Sequence, residues 1–242
     1  MLLPFNETLI IIPTYNEIDN VEKIVRTLFV LYPNISILII EDGSPDGTTE
    51  AVRGLMKNYT NLSIIERKSK LGLGTAYITG FKWALERSYQ YIFEMDCDFS
   101  HDPLQITDLL KEAIQNDLVI GSRYKDGMRI VNWPLRRLIL SYMASLYTRL
   151  ITGIPVYDTT SGFKCFKRSA LESLNFEKII SNGYAFQLEI NYKIWAKGLK
   201  IVEVPIIFYE RRDGQSKMES IIIFEAMIAV FRLRLQKMLG IL

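Results

Sequence analysis

Apolar and polar positions in the first half of the chain fall into two alternating patterns. Residues 9–12, 36–40, 62–65, 91–95 and 118–120 are short, mostly apolar runs bounded by turn residues, as buried strands are. Between them, about 20–31, 48–58, 75–88 and 103–116 carry the spacing of amphipathic helices. Strands separated by helices of that length need crossover connections, which build a largely parallel sheet flanked by helices, an α/β fold. The second half is less regular. It predicts helices over about 134–151 and 184–197, a strand over 200–204 and a final apolar helix over about 220–239. No linker, repeat or low-complexity tract interrupts the 242 residues, so one domain over residues 1–242 is expected.

In a parallel sheet, ligands bind beyond the carboxyl ends of the strands. Those ends carry Pro13-Thr14-Tyr15-Asn16-Glu17, Glu41-Asp42-Gly43-Ser44-Pro45-Asp46-Gly47-Thr48 and Asp96-Cys97-Asp98. Three polar tips thus converge on one rim, where a nucleotide would lie. Asp96 and Asp98 share a face if the extended backbone persists. Two such carboxylates repel unless a cation lies between them, and Mg²⁺ takes one or two carboxylates plus water and substrate phosphates. Alone, the pair is a weak signal, because acidic residues at strand ends are common and usually only solvated.

Asp42 is placed to hold a ribose hydroxyl or a base edge, and the turn after it leads into a helix N-terminus. The run from Gly72 to Tyr77 lacks the third glycine of a dinucleotide fingerprint, which weakens a nicotinamide-dependent dehydrogenase. Gly72 and Gly74 are instead expected to let the backbone approach a sugar nucleotide. His101, the sole histidine, reads as a residue leading into the helix at Asp102-Pro103. One histidine and two unrelated cysteines, Cys97 and Cys165, support neither a histidine triad nor a zinc site nor a disulfide framework.

Charge and hydropathy narrow the partners. A net charge of +2 provides no field for nucleic acid. Cations nevertheless cluster in the second half, at Arg123, Lys125, Arg129, Arg136, Arg137, Arg211, Arg212 and Lys217. Arg211 and Lys217 flank Gly214 and Ser216 in a donor-rich loop suited to clamping phosphate. Arg136 and Arg137 open a helix whose other face is Leu138, Leu140, Tyr142, Leu146 and Leu150. That pattern suits a lipid headgroup layer or ordinary core packing. The final helix, apolar nearly all round from Ile221 to Phe231, has the same two readings. No segment reaches the roughly 20 apolar residues of a membrane span.

Together these segments resemble glycosyltransferase family 2, nucleotide-sugar enzymes with the GT-A fold, and within it the polyprenol (dolichol) phosphate mannose synthases. The similarity runs over nearly the whole chain. It includes Ile12-Pro13-Thr14-Tyr15-Asn16-Glu17, Met95-Asp96-Cys97-Asp98-Phe99-Ser100-His101, Gly121-Ser122-Arg123-Tyr124, Ser161-Gly162-Phe163-Lys164, Gly183-Tyr184-Ala185-Phe186-Gln187 and Arg211 through Lys217. The resemblance implies a nucleotide-binding half over about 1–122 and an acceptor- and membrane-facing half over about 123–242. It assigns the nucleoside to Pro13, Tyr15, Glu17 and Asp42, and Mg²⁺ or Mn²⁺ to Asp96 and Asp98. Ser100 stands where relatives often have glutamine, so its contact with the metal would be direct or through water. Arg123, Arg137 and Ser141 would grip the acceptor phosphate; Arg211, Ser216 and Lys217 would close over the donor diphosphate. Asp158 is expected to position rather than act as a base. The implied reaction is transfer of mannose from GDP-mannose to a polyprenyl phosphate with inversion. The implied setting is peripheral on the cytoplasmic face of a membrane, with attachment through the two apolar helices or a small membrane subunit. Rival readings are a UDP-sugar enzyme acting on the same lipid and a catalytically silent subunit.

Overall fold

A computed structural model describes residues 3–210 and 220–240, apart from the side chains of Tyr184 and of residues 220–226. Seven strands form one sheet in the order β3-β2-β1-β4-β7-β5-β8. They are β1 (Thr8–Thr14), β2 (Ser36–Glu41), β3 (Leu62–Glu66), β4 (Tyr91–Glu94), β5 (Leu118–Ser122), β7 (Lys164–Lys167) and β8 (Ile201–Pro205). All run parallel except β7, which pairs antiparallel with both neighbours. A second, two-stranded sheet pairs β6 (Ile130–Val131) with β9 (Phe208–Tyr209).

Each strand of β1 and β2 serves two cores because successive side chains leave opposite faces. Leu9 and Ile11 face one core with Leu38 and Ile40; Ile10 and Ile12 face the other with Ile37 and Ile39. The second core is closed by α1 (Ile18–Leu31), α2 (Thr48–Met56) and α4 (Ile106–Ala113). The first is closed by α3 (Leu73–Leu85), α7 (Gly183–Ala196) and α8 (Ser220–Met238), with the short α6 (Arg168–Glu172) at its edge. Gly80 lets α3 lie close on β1: a Cβ there would fall 2.7 Å from Ile11 Cγ2.

The helices and parallel strands match the hydrophobic pattern to within a few residues. β7 departs from it. Lys164-Cys165-Phe166-Lys167 is four residues long and flanked by lysines, so nothing in its pattern marks a central strand. Its insertion brings Lys164 opposite Glu94, the last residue of β4, and opposite Ile120 of β5.

The helix α5 (Leu135–Thr152) inverts ordinary packing. Its buried residues are Ser145, Thr148 and Thr152, while Leu135, Ile139, Leu140, Tyr142, Met143 and Leu150 are exposed. Thr148 and Thr152 remain satisfied because each hydroxyl donates to the carbonyl four residues back. Packing of its leucine stripe into the core is therefore not what this helix does. On α8, Ala229, Val230 and Leu233 are buried and Met227, Ile228, Phe231, Leu235 and Met238 exposed. No helix among the described residues is long and apolar enough to cross a membrane.

Candidate active site

The tips of β1 and β2 are laced to each other. The Asn16 N–H donates to Ser44 Oγ (2.9 Å), that of Glu17 to Thr48 Oγ1 (3.1 Å) and that of Ile18 to Asp46 Oδ2 (3.1 Å). Asn16 takes φ 58°, a left-handed conformation that asparagine tolerates. From beneath, the Glu41 carboxylate accepts the N–H groups of Gly43 (2.9 Å) and Ser44 (2.8 Å). Desolvation alone would raise the pKa of Asp46, but hydrogen bonds from Thr48 and Ile18 outweigh it and hold the carboxyl below its ordinary value. Pro13, Tyr15, Glu17 and Asp42 thus meet on one rim, with Lys70 Nζ 4.5 Å above the Tyr15 ring.

Asp42 does not stand alone on that rim. Arg67 takes both of its carboxylate oxygens, at 2.5 and 2.6 Å, and reaches on to Thr75 Oγ1 at 2.8 Å. A carboxylate so engaged meets a nucleoside only as one half of an ion pair. Arg67 is a residue that sequence reasoning missed. The glycines also have an internal reason. Gly72 takes φ 101° and a Cβ would strike Asn182 at 2.5 Å; at Gly74 it would strike Phe186 at 2.9 Å. The positive φ thus requires glycine at 72 and the close approach of α7 requires it at 74, whatever ligand lies nearby.

Beyond β4 the chain folds back on itself. The Asp96 N–H donates to His101 Nδ1 (3.1 Å), the Ser100 N–H donates to Asp98 Oδ1 (3.1 Å), and Phe99 takes φ 58°. The His101 ring is buried, stacked on Phe163 at 4.9 Å and edge-on to Phe208 at 5.6 Å. An accepting Nδ1 places the proton of the neutral imidazole on Nε2. His101 does precede the helix at Asp102-Pro103, as expected, but its ring is engaged by the Asp96 N–H; Asp102 caps that helix, accepting the Leu104 N–H at 2.9 Å.

Ser100 Oγ is buried and has no hydrogen-bond partner among the described residues. A buried hydroxyl left over beside two carboxylates fits a hard, oxygen-seeking cation, directly or through water. Among the described residues no three acidic, histidine or cysteine side chains gather into a closed metal cage. That donor set suits Mg²⁺ or Mn²⁺ sharing its ligands with a substrate, not a structural zinc.

Across from this loop, Asp158 accepts three bonds from Arg123: from the backbone N–H (2.9 Å), Nε (2.7 Å) and Nη2 (2.6 Å). Thr160 Oγ1 accepts from the same Nη2 at 2.9 Å. Arg137 pairs with Glu210 at 2.5 Å and lies 4.1 Å over the Trp133 ring. Asp158 is fully buried and spent on Arg123, so its geometry is that of a positioning residue.

One cavity of about 370 Å³ joins the two sides. Asp96, Ser100, Arg123, Arg137 and Ser141 all line it, with Met143, Tyr147 and Met227 as part of its apolar wall. Pro13, Tyr15, Glu17, Asp42, Gly72, Gly74 and Asp98 are not in its lining. Arg211, Ser216 and Lys217, the expected diphosphate clamp, lie outside the described residues.

Below the cavity lies a cluster that the sequence pattern hides. Glu94 and Lys164 are fully buried, 3.8 Å apart. Lys164 also donates to the backbone oxygen of Gln187 (3.2 Å) and to Gln187 Oε1. Burial pushes Glu94 up to about 7 and Lys164 down to about 8. In the sequence this cluster shows only as a lysine in the Ser161-Gly162-Phe163-Lys164 segment.

Comparison with known proteins agrees with this architecture. The family model of glycosyl transferase family 2 matches residues 9–174. A polyprenol monophosphomannose synthase of Mycolicibacterium smegmatis is 42% identical over 229 residues, covering 94% of this chain and 86% of the relative. An undecaprenyl-phosphate mannosyltransferase of Micrococcus luteus is 41% identical over 224 residues, 93% of this chain and 92% of that one. Among solved structures, glucosyl-3-phosphoglycerate synthase of Mycobacterium tuberculosis with UDP superposes at a TM-score of 0.68 and 16% identity, covering 94% of this chain and 79% of that one. The same enzyme with Mn²⁺ and UDP-glucose gives 0.67 at 17% identity, covering 97% and 79%. At that identity the likeness speaks for the GT-A-like fold alone. The matched family model and the two relatives together establish that this chain belongs to glycosyltransferase family 2.

Proposed function

We propose that the protein transfers mannose from GDP-mannose to a polyprenyl phosphate, with inversion at the anomeric carbon. The observation that carries this reading is a cavity, among the described residues, that Asp96 and Ser100 share with Arg123, Arg137, Ser141 and an apolar wall. It has an acidic end for a metal-bound diphosphate, a cationic end for a second phosphate and room for an apolar tail. The names of the two relatives support both mannose and the lipid phosphate.

Mg²⁺ or Mn²⁺ would be held by Asp96 and Asp98 with help from Ser100, and when bound it neutralises charge on the departing diphosphate. The acceptor phosphate is already an anion at neutral pH, so its oxygen attacks without a general base. Arg123 and Arg137 hold it in line with the anomeric carbon, and the C–O bond to the diphosphate breaks on the opposite face. Arg123 is kept from rotating by its three bonds to Asp158. Arg211, Ser216 and Lys217 close over the donor diphosphate in this reading, and Pro13, Tyr15, Glu17 and the Asp42–Arg67 pair hold the nucleoside.

The exposed apolar residues of α5 and α8, beside the exposed Arg136 and Arg234, support peripheral attachment to a membrane, which this reading assigns to the cytoplasmic face, where the lipid headgroup can enter the cavity. A small membrane subunit on the same face is the alternative anchor. The nucleotide-binding half is assigned to about 1–122 and the acceptor half to about 123–242 of one domain.

The test is transfer of radiolabel from GDP-mannose and from UDP-glucose to a short polyprenyl phosphate, with Mn²⁺ or with EDTA. Metal-dependent labelling from GDP-mannose alone is the expected result. Labelling from UDP-glucose alone would move the donor assignment, and labelling that survives EDTA would remove the metal from the mechanism.

A further inference from the structure

The cluster beneath the cavity is elaborate for a purely structural element. A buried Lys–Glu pair is no more stabilising than a well-packed apolar pair of similar volume. What this pair does visibly is orient Gln187. Lys164 has only donors, so the carboxamide must turn its oxygen towards the ammonium and its nitrogen away. The amide nitrogen is buried and has no hydrogen-bond partner of normal geometry among the described residues. It carries two hydrogens; one is directed at the Glu94 carboxylate, where that contact works against the rise that burial causes, and the second is left for the cavity that Gln187 lines. The space before it is kept open by Gly162, whose Cβ, were there one, would sit 3.8 Å from Gln187 Nε2 and 3.7 Å from His101 Cε1.

We propose that Gln187 is a substrate-contacting residue whose amide donates a hydrogen bond to a hydroxyl of the transferred hexose. This rests on the reading of the cavity as the place where a hexose passes between a diphosphate and a phosphate acceptor. The hexose must lie between the Asp96 end and the Arg123–Arg137 end, and Gln187 lines that same space. The anionic groups at either end are matched by charge: a divalent cation would meet the one, and two guanidinium groups meet the other. A neutral donor held rigidly between them suits an uncharged hydroxyl. A site built to bond one hydroxyl discriminates against a substrate lacking it, because the buried donor is then left unpaired. Gln187 thereby becomes a determinant of which hexose is transferred.

The experiment compares unmodified enzyme and Gln187→Met with the natural nucleotide-hexose and its monodeoxy analogues, alongside the affinity for the nucleoside diphosphate in the presence of Mn²⁺. The unmodified enzyme should disfavour one analogue by about tenfold or more in kcat/KM. Gln187→Met should erase that one preference while nucleoside diphosphate affinity stays within about twofold, a pattern that mere loosening of α7 does not produce. If Gln187→Met does not fold, Gln187→Glu, which keeps an oxygen towards Lys164, is held to the same criterion. Retention of every preference by the variant overturns the proposal. So does an equal loss of diphosphate affinity, and so does a rise confined to the acceptor KM, which would give the amide to the acceptor phosphate. If the unmodified enzyme transfers from no nucleotide-hexose, the underlying reading falls with it, and that failure is visible before any variant is made.

Discussion

Replacing Asp158 with Asn isolates the contact that aims Arg123 into the cavity. The carboxylate is 0% exposed and its partner 7%, and three N–H groups of Arg123 converge on it. Removing one partner of a buried ion pair costs about 3–5 kcal/mol, because the remaining charge is left uncompensated. Asparagine keeps one oxygen, which in the place of Oδ2 still accepts the Arg123 backbone N–H and Nε, about 1 kcal/mol each. The edge of Arg123 that lines the cavity is also open to hydration. Both effects pull the expected loss to the lower end, about 3 kcal/mol. Urea unfolding followed by fluorescence and by far-ultraviolet circular dichroism measures it. The cycle through Asp158→Leu, Arg123→Leu and the double variant should return a coupling of at least about 2 kcal/mol. In the transfer assay the acceptor KM should rise at least about tenfold with little change in the donor KM, since an unaimed guanidinium weakens the grip on one phosphate. A loss under about 1 kcal/mol, with coupling under about 0.5 kcal/mol, would show that Arg123 is held by its aromatic neighbours Tyr124, Trp133 and Phe208 instead.

Other outcomes follow from single contacts. Asp98→Asn should weaken Mn²⁺ binding, read by electron paramagnetic resonance, by about tenfold or more, since a hard cation loses an anionic oxygen ligand; unchanged affinity would remove Asp98 from the metal site. Gly80→Ala should cost about 1–3 kcal/mol of stability by urea titration, because the new methyl lands 2.7 Å from buried Ile11. A neutral result there would mean that α3 can lift off β1 freely. His101→Phe keeps the stacked ring but deletes the acceptor of the Asp96 N–H, and should cost about 1–2 kcal/mol and lower Mn²⁺ affinity with it. Ile139→Asp together with Phe231→Asp should sharply reduce co-sedimentation with anionic vesicles at low salt while leaving Mn²⁺ affinity intact; undiminished sedimentation would exclude α5 and α8 as the docking face.

Much of the site was legible because its chemistry sits at strand ends. The runs ending at Ile12, Ile40 and Met95 predict where a parallel sheet presents its polar tips, and the acidic pair after Met95 gains its meaning from the other tips beside it. The pairings of those residues were not legible. Asp42 reads as a lone acid until Arg67, 25 positions on, is brought against it. Arg123 and Asp158 are 35 positions apart, and only the return of the chain through residues 158–164 joins them. The bond between Asp96 and His101 is not legible either, because it depends on a left-handed turn at Phe99, which no propensity of phenylalanine announces.

The sequence by itself determined the alternation of strands and helices, the parallel sheet and the rim on which three acidic or polar tips gather. Hydrophobic periodicity and crossover length are local properties, and they suffice for that much. The tertiary structure decided the rest: the antiparallel insertion of β7, the burial of Lys164 beside Glu94, the turning of Gln187 towards the cavity and the outward face of α5. Each of these depends on what lies across from a residue in space. A lysine becomes a core residue only when a carboxylate and a carboxamide meet it there, and a leucine stripe becomes a surface only when serine and threonine take the place beneath it.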